Sequence, residues 1–233
     1  IAIRWIMRTL TIFLISLFSL PLVLNAQSVD EMLQKVSAAI ESGQHGQAVS
    51  YFRQTIGLNI DRTEMFYWTS IDKSSEISSK LAVELASAYR RNRNYDKAYL
   101  FYKELLQKTP DNVDYLEACA EMQVCRGHEK EALRMYEKVL QLDTDNLAAN
   151  IFLGNYYYLM AEKEKKRLDT DFKKLASPTK MQYARYRDGL SKVFSTDYQK
   201  ARNSLRKVIS QFPSTEAQKT LDKILRIEKE VNR

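Results

Sequence analysis

The chain has 233 residues, with 36 Lys and Arg against 29 Asp and Glu, so its formal net charge is +7. Only 6 Gly and 4 Pro interrupt it, and no stretch alternates apolar and polar residues between glycine-rich turns, which argues against a β-sheet protein. Two His and two Cys leave little material for a metal centre or a disulfide-rich scaffold. The composition therefore predicts an all-α fold.

Residues 1–26 have the layout of an export signal. Arg4 and Arg8 precede an apolar run at 10–24, and the segment closes on the small residue Ala26. The run holds about 15 apolar residues, whereas a membrane-spanning helix needs ~20, so we favour a cleaved signal peptide over an uncleaved anchor. We expect cleavage after Ala26 and export to the periplasm or envelope of a bacterium with two membranes.

Residues 79–146 carry one helix pattern twice. Ala98 recurs as Ala132 and Tyr102 as Tyr136, each after 34 residues. An interval of this length is that of one stacked helix-turn-helix unit. In the first copy, apolar residues at i, i+3, i+4 and i+7 define one helix face, a polar turn follows, and a second helix closes at Pro110. The positions predicted to pack are Ala82, Leu85, Ala86, Tyr89, Ala98, Tyr102 and Leu105, then Leu116, Cys119, Ala120, Gly127, Ala132, Tyr136 and Val139.

This pattern resembles the tetratricopeptide repeat family, in which Trp-x2-Leu-Gly-x2-Tyr is followed by Ala-x3-Phe and a closing Pro. The first copy reads Ala82-x2-Leu85-Ala86-x2-Tyr89, then Ala98-x3-Tyr102 and Pro110, and the second has Thr144 in place of Pro. The resemblance implies a right-handed superhelical array of antiparallel helix pairs. It also implies that the first helices line a concave surface that binds protein or peptide segments.

Four repeats are predicted, at 29–62, 79–112, 113–146, and 147–161 together with 197–213. The fourth is cut in two: Leu153-Gly154-x2-Tyr157 matches a first helix, but Ala201-x3-Leu205 lies one repeat length beyond the usual distance. Residues 162–196 are therefore an insertion of about one repeat unit. We expect the first helix to continue through 162–167, another helix to begin near Ser177-Pro178, and a capping helix to occupy 214–231.

Residues 62–78 separate the first two repeats and contain the cluster Met65-Phe66-Tyr67-Trp68. One interpretation is a short helix whose aromatic side chains fill the space between adjacent helix pairs. The other is an exposed recognition patch. We favour the first, because large exposed apolar clusters are uncommon in soluble monomers.

Charge is unevenly distributed. Residues 27–161 carry 15 basic and 19 acidic residues, whereas residues 162–233 carry 19 basic and 10 acidic ones. The basic C-terminal third could contact an anionic surface, or it could be a solvated helix face without a ligand. No nucleic-acid-binding signature accompanies the charge, and export also argues against nucleic acid.

No catalytic, cofactor-binding or metal-binding motif stands out, so the chain is not expected to be an enzyme. His45 and His128 fall in equivalent turns, with no nucleophile or metal-ligand spacing around them. Cys119 and Cys125 lie on one predicted helix with about 10 Å between their Cα atoms, which is too far for a disulfide. Cys119 is expected to be buried.

The expected activity is therefore binding. By the resemblance, exposed positions of the first helices are candidate partner-binding residues: Arg90, Asp114, Glu117, Glu121, Asn155 and Tyr158. A clamp for a peptide carboxylate is disfavoured, because Val83 and Ser87 stand where it needs Lys and Asn. The acidic residues favour a basic or mixed-charge partner segment. We hypothesise an envelope scaffold for a protein or peptide partner, or alternatively a periplasmic chaperone with transient clients.

Overall fold

The computed structural model describes residues 28–231, and in that range it contains helices and turns but no strand. The predicted all-α class is confirmed. The signal-peptide prediction falls on residues outside the described range. The chain divides into two compact units, with the division between Leu105 and Leu106.

The first unit contains two helix pairs and one single helix. These are α1 (Ser28–Glu41), α2 (His45–Leu58), α3 (Ile60–Ser70), α4 (Glu76–Arg91) and the larger part of α5 (Tyr95–Lys108). Ala48 and Phe52 of α2 are fully buried, as is Ala98 of α5. Tyr89 of α4 stacks on Phe101 of α5 with ring centroids 5.9 Å apart. The small residues thus allow close approach of the paired helices while the aromatic rings fill the remaining space.

Turns between paired helices share one backbone conformation. Gly43 follows α1 with a φ of +72°, and Gly127 in the second unit has a φ of +78°. The equivalent turn after α4 places Arg93 at a φ of +58°. This left-handed conformation ends a helix at little cost for Gly but strains other residues.

Helix α3 explains the aromatic cluster at 65–68. Asn59 caps it, since its side chain accepts a hydrogen bond from the Arg62 amide. Tyr67 is fully buried, whereas Met65 and Trp68 are each about half exposed. Adjacent helical residues point about 100° apart, so a single run of aromatics cannot face one way. The cluster is therefore partly core and partly surface, and neither interpretation holds for all of it.

The second unit contains the remaining helices: α6 (Val113–Cys125), α7 (Glu129–Leu142), α8 (Leu147–Lys173), α9 (Lys180–Val193), α10 (Gln199–Gln211) and α11 (Thr215–Val231). Asn112 and Asn146 stand at equivalent positions of successive repeats, and they cap α6 and α8 by accepting hydrogen bonds from the amides of Tyr115 and Ala149. One apolar core joins the helices, and its members include Leu116, Ala132, Tyr136, Leu153, Tyr157, Ala201, Leu205 and Val208.

Helices α8, α9 and α10 form one long helical hairpin. Thr179 and Gln182 form a capping box at the start of α9, and a π-helical turn at Phe194–Tyr198 carries α9 into α10 without a break. Helix α10 packs against α8, so that a Cβ added at Gly154 would lie 3.1 Å from Leu205. Lys207, near the end of α10, forms a 3.0 Å ion pair with Asp145 just before α8. The segment predicted as an insertion therefore lengthens both helices of one antiparallel pair.

Helix α11 covers one side of this hairpin. Ser214 caps it by accepting a hydrogen bond from the Ala217 amide. Ala217, Leu221 and Ile224 are buried on its inner face, as the apolar spacing predicts. Within residues 28–231, no helix combines the length and the apolar character that crossing a bilayer requires.

Candidate functional site

Three of the predicted binding residues lie on one face of α6. Asp114 is exposed, while Glu117 and Glu121 are half-buried. Glu117 accepts a 2.8 Å hydrogen bond from the side-chain amide of Asn146, the residue that caps α8. Glu117 thus has a structural contact that the sequence did not reveal, and Asp114 is the most accessible of the three carboxylates.

The next first helix, α8, presents Ile151 and Asn155 at the repeat positions that Glu117 and Glu121 occupy on α6. Both border a groove that α8, α10 and α11 enclose, with a volume of about 510 Å³. We call it the C-terminal groove. Its lining residues are Ile151, Asn155, Leu205, Val208, Phe212, Ser214, Glu216, Ala217, Lys219, Thr220 and Lys223.

The C-terminal groove combines an apolar floor with a polar rim. Leu205 and Val208 are buried beneath it, while the side walls expose 42% of Ile151 and 59% of Phe212. Lys219 and Lys223 project from successive turns of α11, are exposed, and form no ion pair within the described residues. A segment that inserts an apolar side chain and carries a carboxylate nearby would satisfy both features.

Arg90 and Tyr158 lie outside this groove. Arg90 is exposed on the last turn of α4 in the first unit. Tyr158 is half-buried against the extended hairpin, its ring 6.3 Å from that of Tyr198. Burial and the neighbouring Glu162 raise the pKa of Tyr158. The extension of α8, which the sequence indicated, thus gives Tyr158 intramolecular neighbours that were not expected.

A buried polar contact fixes α8 against its neighbours. The Tyr157 hydroxyl donates a hydrogen bond to Glu137 of α7. The Lys200 ammonium of α10 lies 4.6 Å from the centroid of the Tyr157 ring. Burial and then the bond to Glu137 raise the pKa of Tyr157, which keeps its hydroxyl protonated as a donor. Three helices of the second unit are therefore held together at one point.

The first unit has a groove of its own between α1 and α3, with a volume of about 390 Å³. Leu33, Met65 and Phe66 supply its apolar lining. A 3.0 Å ion pair between Arg62 and Asp30 crosses it, so its charges are already matched. It is therefore a weaker candidate than the C-terminal groove.

The histidines and cysteines of the described residues do not cluster. No group of three or more His, Cys, Asp or Glu residues could hold a metal ion in residues 28–231. His128 contacts Gln123 at 3.1 Å in an inter-helix turn. Cys119 is buried, as predicted, while Cys125 is exposed, and the two form no disulfide.

Three groove residues escaped the sequence reasoning: Phe212, Lys219 and Lys223. Lys219 and Lys223 have the i, i+4 spacing of one helix face, and a capping helix needs a polar outer face, so the pattern alone does not mark them as binding residues. An aromatic residue directly before Pro213, at the end of a repeat, was an available signal for Phe212. Its exposure could not be read from the pattern because it depends on how closely α11 returns to α8.

One solved structure shares this architecture closely. A crystal structure at 2.19 Å of a candidate protein-binding protein from Bacteroides ovatus ATCC 8483 is 84% identical, with a TM-score of 0.79 over 88% of this chain and 100% of that one. A tetratricopeptide repeat protein from Parabacteroides merdae ATCC 43184 is 16% identical, with a TM-score of 0.39, over 87% of this chain and 74% of that one. No curated protein sequence matches the chain.

Family models of the tetratricopeptide repeat match residues 81–113 and 183–215. The first match coincides with the pair α4 and α5. The second spans α9 and α10, which run on from one another through the π-helical segment and do not form an antiparallel pair, while α8 is the antiparallel partner of α10. The matched closing helix and Pro213 thus complete a repeat whose first helix lies further upstream. The chain belongs to the tetratricopeptide repeat family.

Proposed function

We propose that this protein is a non-catalytic scaffold that binds a segment of a partner protein in the C-terminal groove. The observation that carries the proposal is the groove itself: Phe212 and Ile151 expose apolar surface on its walls, and Lys219 and Lys223 form no ion pair in the described chain. Membership of a protein-interaction repeat family supports it.

The charges favour a partner segment of mixed sign. Glu117 and Glu121 occupy the α6 positions equivalent to Ile151 and Asn155 on α8, and α11 contributes two lysines on the other side. A segment with basic residues over α6 and an acidic residue near Lys219 would meet opposite charge at both ends. Such complementarity sets orientation and selects partners more than it adds affinity.

We also propose that the scaffold acts in a bacterial cell envelope after export. The support is the arrangement of residues 1–26, in which basic residues, an apolar run and a small residue follow in order. The net positive charge of residues 162–233 would add attraction to anionic surfaces.

Site-specific photo-cross-linking in cells tests the binding proposal. A photoreactive residue at Asn155 should capture a discrete partner, whereas one at Lys130, an exposed residue of α7, should not. The double change Lys219→Glu and Lys223→Glu should remove the Asn155 product. Equal products at Asn155 and Lys130, or a product unaffected by the charge reversal, would contradict the proposal.

The same experiment distinguishes a scaffold from a chaperone. A single partner captured in a fixed ratio supports the scaffold. Many products, each in low amount, would replace it with the chaperone alternative.

A further inference from the structure

The far end of the long hairpin has an unusual charge pattern. Residues 172–187 include five basic residues and no acidic one. Lys174 forms an exposed 3.0 Å ion pair with Asp171, which borders the segment. Lys180 and Arg185 are exposed and form no ion pair within residues 28–231. We call residues 172–187 the hairpin tip.

The hairpin tip also exposes apolar side chains. Met181 is 63% exposed, Tyr183 50% and Leu175 37%. Of the first six residues of α9, all but Gln182 are exposed, and the ring of Tyr183 meets α8 only edge-on at Phe172, with 6.0 Å between the ring centroids. Cationic and apolar groups therefore share one small exposed surface.

Contacts within the tip, with the adjoining turn of α8 and with the end of α11 hold the tip in place. Phe172 and Tyr186 stack with their ring centroids 4.3 Å apart, and the Tyr186 hydroxyl donates a 2.6 Å hydrogen bond to Asp169. Arg187 donates a 2.9 Å hydrogen bond to the Val231 carbonyl at the end of α11. The apolar side chains of the tip are therefore presented on a supported helix end.

We propose that the hairpin tip docks on the surface of an anionic lipid bilayer. Lys174, Lys180 and Arg185 would contact headgroup phosphates. Leu175, Met181 and Tyr183 would enter the boundary between headgroups and acyl chains. Attraction to anionic lipid combined with shallow apolar insertion is the way interfacial segments bind membranes, and clusters of four or more basic residues suffice for measurable attraction.

The geometry favours a bilayer over other anionic partners. A peptide is best held in a groove, and the groove that reaches Phe172 and Tyr186 does not include the exposed Leu175, Met181 or Tyr183. Single-stranded nucleic acid needs several free aromatic faces for stacking, but Phe172 and Tyr186 are stacked on each other, which leaves Tyr183 as the exposed ring of the tip. This docking surface is separate from the C-terminal groove, so the two proposals succeed or fail independently.

Vesicle co-sedimentation of the purified protein, expressed from Gln27 onward, tests the proposal. We expect binding to vesicles of phosphatidylglycerol and phosphatidylcholine in equal parts, weakening as salt rises, and no binding to pure phosphatidylcholine. Lys174→Glu with Lys180→Glu should weaken binding at least tenfold, roughly what loss of two surface contacts implies. Leu175→Ser with Met181→Ser should weaken it about tenfold by removing the inserted apolar groups.

The matched control reverses the same amount of charge elsewhere. Lys103→Glu with Lys130→Glu should change vesicle binding no more than about twofold, since both lysines are exposed and belong neither to the hairpin tip nor to the C-terminal groove. Equal losses for the two charge reversals would overturn the assignment to the tip. Absence of binding to anionic vesicles would overturn the proposal itself. Binding to the soluble polyanion heparin without binding to vesicles would overturn it too, because the tip would then recognise a polyanion and not a bilayer.

Discussion

Two regions of the molecule place a tyrosine, a glutamate and a lysine in nearly the same arrangement. In the first unit, the Tyr89 hydroxyl bonds to Glu64 and the Lys97 ammonium lies 4.8 Å from the Tyr89 ring centroid. In the second unit, Tyr157 bonds to Glu137 and the Lys200 ammonium lies 4.6 Å from the Tyr157 ring centroid. The lysine follows the tyrosine closely along the chain in the first case, whereas the whole inserted segment separates them in the second. Repeat packing thus depends on which positions face each other, and the length of chain between them can vary.

The two arrangements differ in how the glutamate is satisfied. Glu64 also accepts hydrogen bonds from Lys97 at 2.7 Å and from Trp68 at 3.3 Å. For Glu137, the bond from Tyr157 is the single side-chain hydrogen bond found within the described residues. Glu64 of the first unit is therefore satisfied by three donors, whereas Glu137 of the second unit depends on one.

The largest expected effect is at the point where α8 crosses α10, the two helices of the repeat that the inserted segment divides. Gly154 stands where the compact repeats have Ala86 and Ala120, and a Cβ there would already lie 3.1 Å from buried Leu205. Gly154→Leu should lower the free energy of unfolding by about 3 kcal/mol through overpacking. Unfolding in chemical denaturant measures this loss of stability.

Gly57→Leu is the matched control, because no atom lies within 4 Å of a Cβ at that helical position. It should leave stability unchanged or slightly raised. Equal losses at both positions would mean that α8 and α10 do not cross closely at Gly154.

Removing each tyrosine hydroxyl tests the difference in redundancy. Tyr157→Phe should cost about 2 kcal/mol, because it leaves the half-buried Glu137 without its hydrogen-bond donor. Tyr89→Phe should cost about 1 kcal/mol, since Lys97 and Trp68 still serve Glu64. Denaturant unfolding of both variants gives the ranking, and the reverse order would contradict the account.

The same contacts predict a loss of stability at high pH. Burial, followed by the hydrogen bond to Glu64, raises the pKa of Tyr89 to about 12 from an ordinary value of 10.0. A raised pKa in the folded state means that the stabilisation is complete below pH 10 and is lost as pH rises through about 12. Between pH 10 and about 12, the midpoint temperature of thermal unfolding should decrease less in the Tyr89→Phe variant than in the unaltered protein. An identical decrease would exclude a contribution from Tyr89.

The smallest expected effects lie in the turns. Arg93 adopts a φ of +58° where the equivalent turns have Gly43 and Gly127. Arg93→Gly should stabilise the protein by about 0.5 kcal/mol, because relief of backbone strain exceeds the entropy cost of Gly. Gly127→Ala should destabilise it by about 1 kcal/mol. Changes of the same sign in the two variants would show that the turns are not equivalent.

Much of the fold could be predicted from the sequence because core positions repeat. Ala98 and Ala132 are both fully buried, and the distant match of Ala201 and Leu205 identified the helix that pairs with α8. The π-helical turn at Phe194–Tyr198 was not predicted. It produces no change in apolar spacing large enough to distinguish it from an ordinary helix.

The candidate site was less predictable. Asn155 was identified because its position in the repeat is exposed, and it does border the C-terminal groove. Phe212 and Lys223 border the same groove from other parts of the chain, and no local pattern links them to Asn155. For the same reason the half-burial of Tyr158 could not be read from the pattern, since its neighbour Tyr198 lies beyond the inserted segment.

The C-terminal groove exists only if α8 pairs with α10, so a disulfide between them tests the account most directly. A Cβ at position 154 would lie 3.5 Å from the Ser204 Cβ, which is within the range of disulfide geometry. In a background of Cys119→Ala and Cys125→Ser, the variant Gly154→Cys with Ser204→Cys should form an intramolecular disulfide on mild oxidation, detected by mass spectrometry. If α10 instead folded back on α9 as a separate repeat, both thiols would remain reduced.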